Sequence, residues 1–206
     1  RNAQGSARTS RGRRFVTVLR RILTAIHDDE LMSAVARQDK DAFAVLAARH
    51  MDRLYGYALG LTKHPASAQD LVQETWLRVW SNAGSYIAKR VTLSTWLHKI
   101  LYNLFVDEFR RAQRQPAHPE ETDDDDQPWQ AHSESQTKNL VYHLLGQLPD
   151  NQRAALLLFY QQGFSTKEVA EILFLSEHAA ESLLARARRN MRQAHAQQVG
   201  QKEDAL

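Results

Sequence analysis

No cysteine occurs among the 206 residues. That removes disulfides, thiolate catalysis and Cys-based zinc sites, and it fits a cytoplasmic protein. No run of eighteen apolar residues is present, so no transmembrane helix is expected, and no cleavable signal pattern is found. The nine histidines (His27, His50, His64, His98, His118, His132, His143, His178 and His195) are scattered, without His-Glu-x-x-His or any other metal spacing. A phosphate-cradling glycine loop and a nucleophile elbow are missing too. Asp70 and Glu74 lie one helical turn apart and could pair as acid and base, but the pattern implies no pocket around them. These absences point away from an enzyme, a cofactor or a small-molecule substrate.

Charge is present but unevenly placed. The formal net charge is only +3. Arginines crowd the N-terminus, the end of the first half and the last helical pattern, while acids crowd the middle. Separate basic patches in a nearly neutral chain suggest polyanion binding at two places.

The pattern throughout is helical. Residues 1–27 begin as Gly/Ser/Arg-rich coil. Phe15, Val18, Leu19, Ile22, Leu23 and Ile26 then form an apolar stripe beside Arg13, Arg14, Arg20 and Arg21. Such a basic amphipathic helix can lie on a membrane surface or nucleic acid, although a floppy extension docking on the next domain is the plainer reading. A short helix is expected over 28–36, capped by Asp28 or Asp29, with Leu31, Met32 and Val35 inward. Asp41 is expected to cap a longer helix that His64-Pro65 stops, and Ser67 to cap the next.

That next helix carries Asp70-Leu-Val-Gln-Glu-Thr-Trp-Leu-Arg-Val-Trp80. Leu71, Thr75 and Val79 share one stripe with Val72, Trp76 and Trp80 beside it, while Asp70, Gln73, Glu74 and Arg78 fall on the other side. The polar face could dock a basic partner, or be a solvated face with intrahelical ion pairs. Trp76, Trp80 and Trp96 are read as core rather than as stacking platforms. Ser94 is expected to cap a helix that packs Trp96, Leu97, Ile100, Leu101, Leu104 and Phe105. Asn103, Asp107, Arg110, Arg111 and Arg114 then point elsewhere, the arginines also complementing the helix dipole.

Residues 115–136 hold Pro116, Pro119, Glu120, Glu121, Asp123 to Asp126 and Pro128, with Trp129 as the one large apolar residue. So polar a stretch cannot bury enough surface to offset its ordering entropy, and a flexible acidic linker is expected. A second helical domain follows over 137–196, with a tail at 197–206. In it Leu140, Val141, Leu144, Leu145 and Leu148 form one helix. Asp150 is expected to cap a second through Ala154, Leu157, Leu158 and Tyr160. Ser165 with Glu168 makes a capping box. The short helix it opens, the turn Phe174-Leu-Ser176 and a basic last helix form a helix-turn-helix pattern. The second helix of such a pair can enter a DNA major groove while Arg186, Arg188, Arg189 and Arg192 reach phosphates. Packing alone produces similar patterns in all-helical proteins.

With these residues in order, the chain resembles the sigma-70 family of RNA polymerase sigma factors, in its compact extracytoplasmic-function (ECF) form. The resemblance rests on Asp41-Ala-Phe43, on the Asp70–Trp80 stretch, on Thr95-Trp-Leu-His-Lys-Ile-Leu-Tyr-Asn-Leu-Phe-Val-Asp107 with Arg110-Arg111, and on Leu148-Pro149 with Gln152-Arg-Ala154. It continues through Ser165 to Leu173 and Ala185-Arg-Ala-Arg-Arg189, covering about residues 28–193.

The resemblance implies an all-α protein of two small helical domains on a flexible tether, acting as a bacterial, cytoplasmic transcription initiation factor, stress- or signal-responsive. Domain 28–114 would be region 2, where Asp70, Gln73, Glu74 and Arg78 match the surface for the β′ clamp helices of core RNA polymerase. Tyr86, Asn103, Asp107, Arg110, Arg111 and Arg114 match the part that engages and opens the −10 element. Domain 137–196 would be region 4, which reads the −35 element of promoter DNA and meets the β flap. Its matching positions are Ser165, Lys167, Ser176, His178, Ser182, Arg186, Arg188 and Arg189. Glu181 and Leu183 depart from the family pattern, since relatives favour basic residues there; Glu181 could accept from a cytosine or simply be solvated. The acidic linker could mimic a nucleic-acid backbone or serve solubility, and an anti-sigma factor is an implied partner. A stand-alone helix-turn-helix regulator is the alternative, and would need an effector pocket or dimer surface in the first half.

Overall fold

The computed structural model describes residues 26–88, 90–114 and 136–203, and within them every regular element is helical. Four α-helices form a front lobe: α1 (Asp28–Val35), α2 (Lys40–Thr62), α3 (Pro65–Asn82) and α4 (Leu93–Arg114). A 3₁₀ turn over Ala83–Ser85 leaves α3. The rear lobe holds α5 (Gln136–Gly146), α6 (Asp150–Leu156), a π-helical turn (Leu157–Gln161), α7 (Thr166–Ile172) and α8 (Glu177–Glu203). The expected N-terminal helix and nearly all of the acidic segment lie outside the described residues.

The apolar stripes read from periodicity form the core. Leu31, Met32, Val35, Leu46, Leu54, Ala58 and Leu61 are buried, as are Leu71, Val72, Trp76 and Val79 of α3. Thr75 sits in that stripe because its hydroxyl donates to the Leu71 carbonyl at 2.7 Å, so that hydroxyl is not left unpaired. Trp80 and Trp96 are half-buried against the same core, Trp80 edge-on to Phe43 at 5.1 Å.

Several helix starts differ from expectation. His27, not Asp28 or Asp29, precedes α1, its ring Nδ1 accepting from the Asp29 N–H. Asp39 rather than Asp41 caps α2, accepting from the N–H groups of Asp41 and Ala42. Helix α3 begins two residues before Ser67, with Pro65 in its first turn, where the missing N–H costs nothing. Thr92, not Ser94, accepts from the Thr95 N–H at the start of α4. Asp150 lies inside α6, behind Pro149. At the other end of α2, Lys63 takes φ 63°, closing the helix one residue before His64-Pro65. The Ser165–Glu168 capping box forms as expected.

One buried cluster runs through both lobes. Gly60 of α2 lets Leu157 of the π turn lie flat on it, since a Cβ there would meet the Leu157 side chain within 2.7 Å. His98 of α4 is sandwiched between Tyr57 at 5.3 Å and Phe164 of the rear lobe at 4.8 Å. Arg153, 3% exposed, donates to Asp150 at 2.6 Å and across the lobes to the Leu61 carbonyl at 2.7 Å. That carbonyl belongs to the last turn of α2, which has no intrahelical donor. Arg53 donates to the Gln162 carbonyl, and the Gln162 amide returns a bond to the Arg53 carbonyl at 3.1 Å. The π turn also rotates Tyr160 outward: expected in the core, it is 63% exposed.

Replacing Arg153 with Met leaves the Leu61 carbonyl and Asp150 without their buried donor. The substitution should cost about 2–4 kcal/mol of stability, read from urea unfolding, whereas Asp150→Asn should cost less because that carboxylate is partly exposed. Burial pushes the His98 imidazole down to about 4, against a weaker opposing effect from the Ser94 carbonyl. The unfolded chain therefore binds the extra proton first as pH falls. Stability should be complete above about pH 6.5 and decline by about 3 kcal/mol towards pH 4. Thermal unfolding of His98→Phe should lack that part of the pH slope.

Candidate nucleic-acid and partner interfaces

The polar side of α3 is formed as its spacing predicts. Asp70, Gln73, Glu74 and Arg78 are all exposed on the side opposite the core stripe. Arg78 Nε donates to Glu74 at 3.1 Å with both side chains about half exposed, a pair of little energetic weight that leaves the face open to exchange partners. Leu77, 57% exposed, stands between them. Beside this face Phe43, Ala47, Met51, Val72, Trp76 and Trp80 line an apolar groove of about 520 Å³.

Around the α3–α4 connection the geometry is more fixed than periodicity suggested. Tyr86 is half-buried, its ring edge against Trp96 at 5.5 Å and its hydroxyl donating to Asp29 at 2.5 Å. Burial and that carboxylate hold its phenol well above the usual range. Tyr86 therefore ties the loop to α1, while Ile87 beside it is 58% exposed. The neighbouring carboxylate is anchored as well. Burial works to raise the Asp28 carboxyl, but bonds from Arg49 at 2.5 Å and His50 at 2.8 Å outweigh it and lower it. On α4, Asn103 and Asp107 are exposed, whereas the side chains of Arg110, Arg111 and Arg114 lie outside the described residues.

In the rear lobe α7 and α8 meet through the turn Leu173–Ser176, in which Phe174 takes φ 57°. Ala180, Leu184, Ala187 and the half-buried Met191 face inward, as expected. Leu183 also faces inward at 3% exposed, so the apparent departure from the family pattern is a core position and not an altered base contact. His178, Ser182, Arg186 and Arg189 share the exposed stripe opposite. Glu181 is exposed too, its carboxylate 3.8 Å from His178.

Arg188 falls off this stripe. Its guanidinium stacks over Phe159 at 5.6 Å and lines, with Arg192, an apolar groove of about 910 Å³ between α5, α6 and α8. Ser176 accepts from the Ala179 N–H and Ser165 belongs to the capping box, so both fix helix starts; Lys167 is exposed on α7. Burial works to raise the Glu168 carboxyl, but bonds from Ser165 and Thr95 prevail and keep it below its ordinary value.

Arg53 and Gln162, which join the lobes, carry no signal in one dimension, and Arg153 lies within a motif of the resemblance that does not say what it bonds. Lys99 and Thr95 lie within a motif of the resemblance, but helical spacing alone does not set them apart from their neighbours. Among the described residues no group of acidic, histidine or cysteine side chains could hold a metal, and no helix is long and apolar enough to cross a membrane.

Comparison with known proteins agrees with this arrangement. Residues 46–115 match the Sigma-70 region 2 family model, and residues 138–191 the Sigma-70 region 4 model. The chain is 33% identical over 162 residues to the ECF RNA polymerase sigma factor SigM of Mycobacterium tuberculosis, spanning 78% of this chain and 81% of that one. It is 30% identical to the ECF RNA polymerase sigma factor SigM of Bacillus subtilis, spanning 69% of this chain and 88% of that one. Among solved structures, CnrH in complex with the cytosolic domain of CnrY is similar, with TM-score 0.61 and 26% identity over 80% of this chain and 94% of that one. The chain belongs to the sigma-70 family of RNA polymerase sigma factors, in its extracytoplasmic-function group.

Proposed function

We propose that this protein is a cytoplasmic transcription initiation factor that acts by binding, not by catalysis, joining core RNA polymerase to promoter DNA. What carries this reading is the pairing of two exposed faces on separate lobes. One is the Asp70–Gln73–Glu74–Arg78 face of α3; the other is the His178–Ser182–Arg186–Arg189 stripe of the helix-turn-helix. A stand-alone DNA-binding regulator needs the second face but has no use for the first.

In this reading residues 28–114 dock on the β′ clamp helices through α3 and take up the −10 element along α4. Asn103 and Asp107 offer polar contacts to extruded bases, with Arg110, Arg111 and Arg114 for the backbone. Residues 137–196 place α8 in the major groove of the −35 element, with Arg186 and Arg189 on phosphates and His178 and Ser182 nearest the base edges. The apolar groove beside Arg188 and Tyr160 suits the β flap. An anti-sigma partner is supported by the similarity to CnrH, whose structure was solved with CnrY.

Run-off transcription with core polymerase, on promoters of the source genome, tests the proposal. Wild-type protein should make transcription dependent on its addition. Asp70→Arg with Glu74→Arg should abolish co-purification with core polymerase and transcription, while circular dichroism and thermal unfolding stay unchanged. Normal assembly of that double variant would overturn the docking assignment. At the other lobe, Arg189→Ala should weaken promoter-duplex binding equally for all sequences and lower the salt slope by about one counterion. Arg188→Ala should change that slope little, because its guanidinium sits on Phe159.

A further inference from the structure

The exposed face of α8 is not uniformly basic. At about 100° per residue, His178, Ser182, Ala185 and Arg189 run along its middle, with Glu181 on one flank and Arg186 on the other. Ala180, Leu183, Leu184 and Ala187 fill the opposite side and hold the helix to the core. That packing fixes which side chains α8 presents. Glu181 stands one turn after the helix start at Glu177, in the N-terminal part that reaches base edges when the second helix of such a pair enters a major groove.

The fold gives this carboxylate no task. Glu177 is the acidic residue of the first turn, where it complements the helix dipole. Glu181 lies further in, with Glu177 four residues before it and Ala185 four residues after, so its neighbours along the helix are a like charge and a methyl group. Among the described residues the one polar partner of its carboxylate is the His178 ring, 3.8 Å away and beyond hydrogen-bond distance, the two side chains being 61% and 91% exposed. Both carboxylate oxygens are therefore open to a donor from outside. An anion left unpaired on a helix that lies against phosphates opposes binding, unless the DNA itself supplies that donor.

One base supplies it cleanly. In the major groove cytosine shows a single donor, its N4 amino group, whereas guanine shows two acceptors and thymine an acceptor beside a methyl group. The adenine amino group lies next to the N7 acceptor. An ionised carboxylate can only accept, so it is drawn to cytosine and repelled by guanine or thymine. We propose that Glu181 is a specificity-determining residue: it accepts from the N4 amino group of a cytosine in the upstream promoter element and selects a C·G pair there. The proposal rests on α8 being the duplex-reading helix, as in the proposed function, and it adds a base-selecting acid to His178, Ser182, Arg186 and Arg189. Discrimination comes from repulsion of the wrong bases as much as from attraction to the right one.

Run-off transcription by the chain assembled with core polymerase tests this, on one promoter that it transcribes, with each position of the upstream element changed to all four base pairs. Wild-type protein should show one position at which C exceeds G and T about five- to tenfold, the low end for a base contact because a single hydrogen bond is involved. Glu181→Gln should move the preference at that position from C to A, whose N6 and N7 an amide engages together. The ranking at every other position should stay as it was. Thermal unfolding of Glu181→Gln should match or slightly exceed wild type, since Glu177 loses a like-charged neighbour. A rise in output on every template alike, with base rankings unchanged, would make Glu181 a solvated acid and overturn the proposal. A wild-type profile without a C-preferring position would do the same, as would a Glu181→Gln protein that unfolds at lower temperature and loses output without changing its preferences. Absence of any transcription with the wild-type chain would instead overturn the proposed function itself.

Discussion

The contact on which the closed molecule depends is the Arg153 guanidinium at the C-terminal end of α2. Helix α2 ends inside the protein, and the carbonyls of its last turn need donors that the helix itself cannot supply. Lys63, in a left-handed conformation, returns its N–H to Leu59, while Leu61 takes its hydrogen from Arg153 of the other lobe. A buried arginine is costly unless its fork is engaged; the Leu148 carbonyl takes one terminal nitrogen and Asp150 shares the other with Leu61, while Nε is buried without a partner. The positive group also lies at the negative end of the α2 dipole. With that anchor set, Leu157 comes down on Gly60 and Phe164 on His98, and the two lobes share one dry seam.

That seam explains which parts of the structure could be read from residues in a line. Periodicity gave most of the inward stripes, because burial of Leu31, Leu46, Leu71, Leu97, Val169 and Leu184 is a local consequence of 3.6 residues per turn, although Val141, expected on the apolar stripe of α5, is 41% exposed. Cap positions were less legible. Asp28, Asp29, Asp39 and Asp41 are all good caps by composition, and only the backbone path decides which one stands in extended geometry before the first turn. The outward swing of Tyr160 follows from one extra residue in the π turn, which no hydrophobic pattern reports. Contacts between lobes were illegible for a simpler reason. They are made by Arg53, Gln162 and Gly60, residues that a linear reading assigns to the surface or to nothing, and by Arg153, whose place in a motif does not say what it bonds.

The functional faces divide in the same way. Asp70, Gln73, Glu74 and Arg78 were legible because an apolar stripe of the same helix forces them outward. The stripe of α8 was legible in outline, but Arg188 was grouped with Arg189 although one step of 100° turns it onto Phe159. Tyr86 illustrates the opposite case: an aromatic in a loop invites a stacking role, yet its hydroxyl is spent on Asp29. Leu183 looked like a lost cation and is a core residue.

The interface between the lobes combines two kinds of contact with different resistance to opening. Around the end of α2 it is dry: Arg153 and His98 are almost wholly buried, and separating them from their partners exposes groups that water must then solvate. Along α4 and α7 it is wet, with Thr95–Glu168 and Lys99–Glu171 at the rim, where water already competes. Breaking either rim pair also removes part of what orients α7 over α4, and the dry seam must then hold the lobes alone. Such a division allows a closed form stable enough to form without a partner and still able to yield to one.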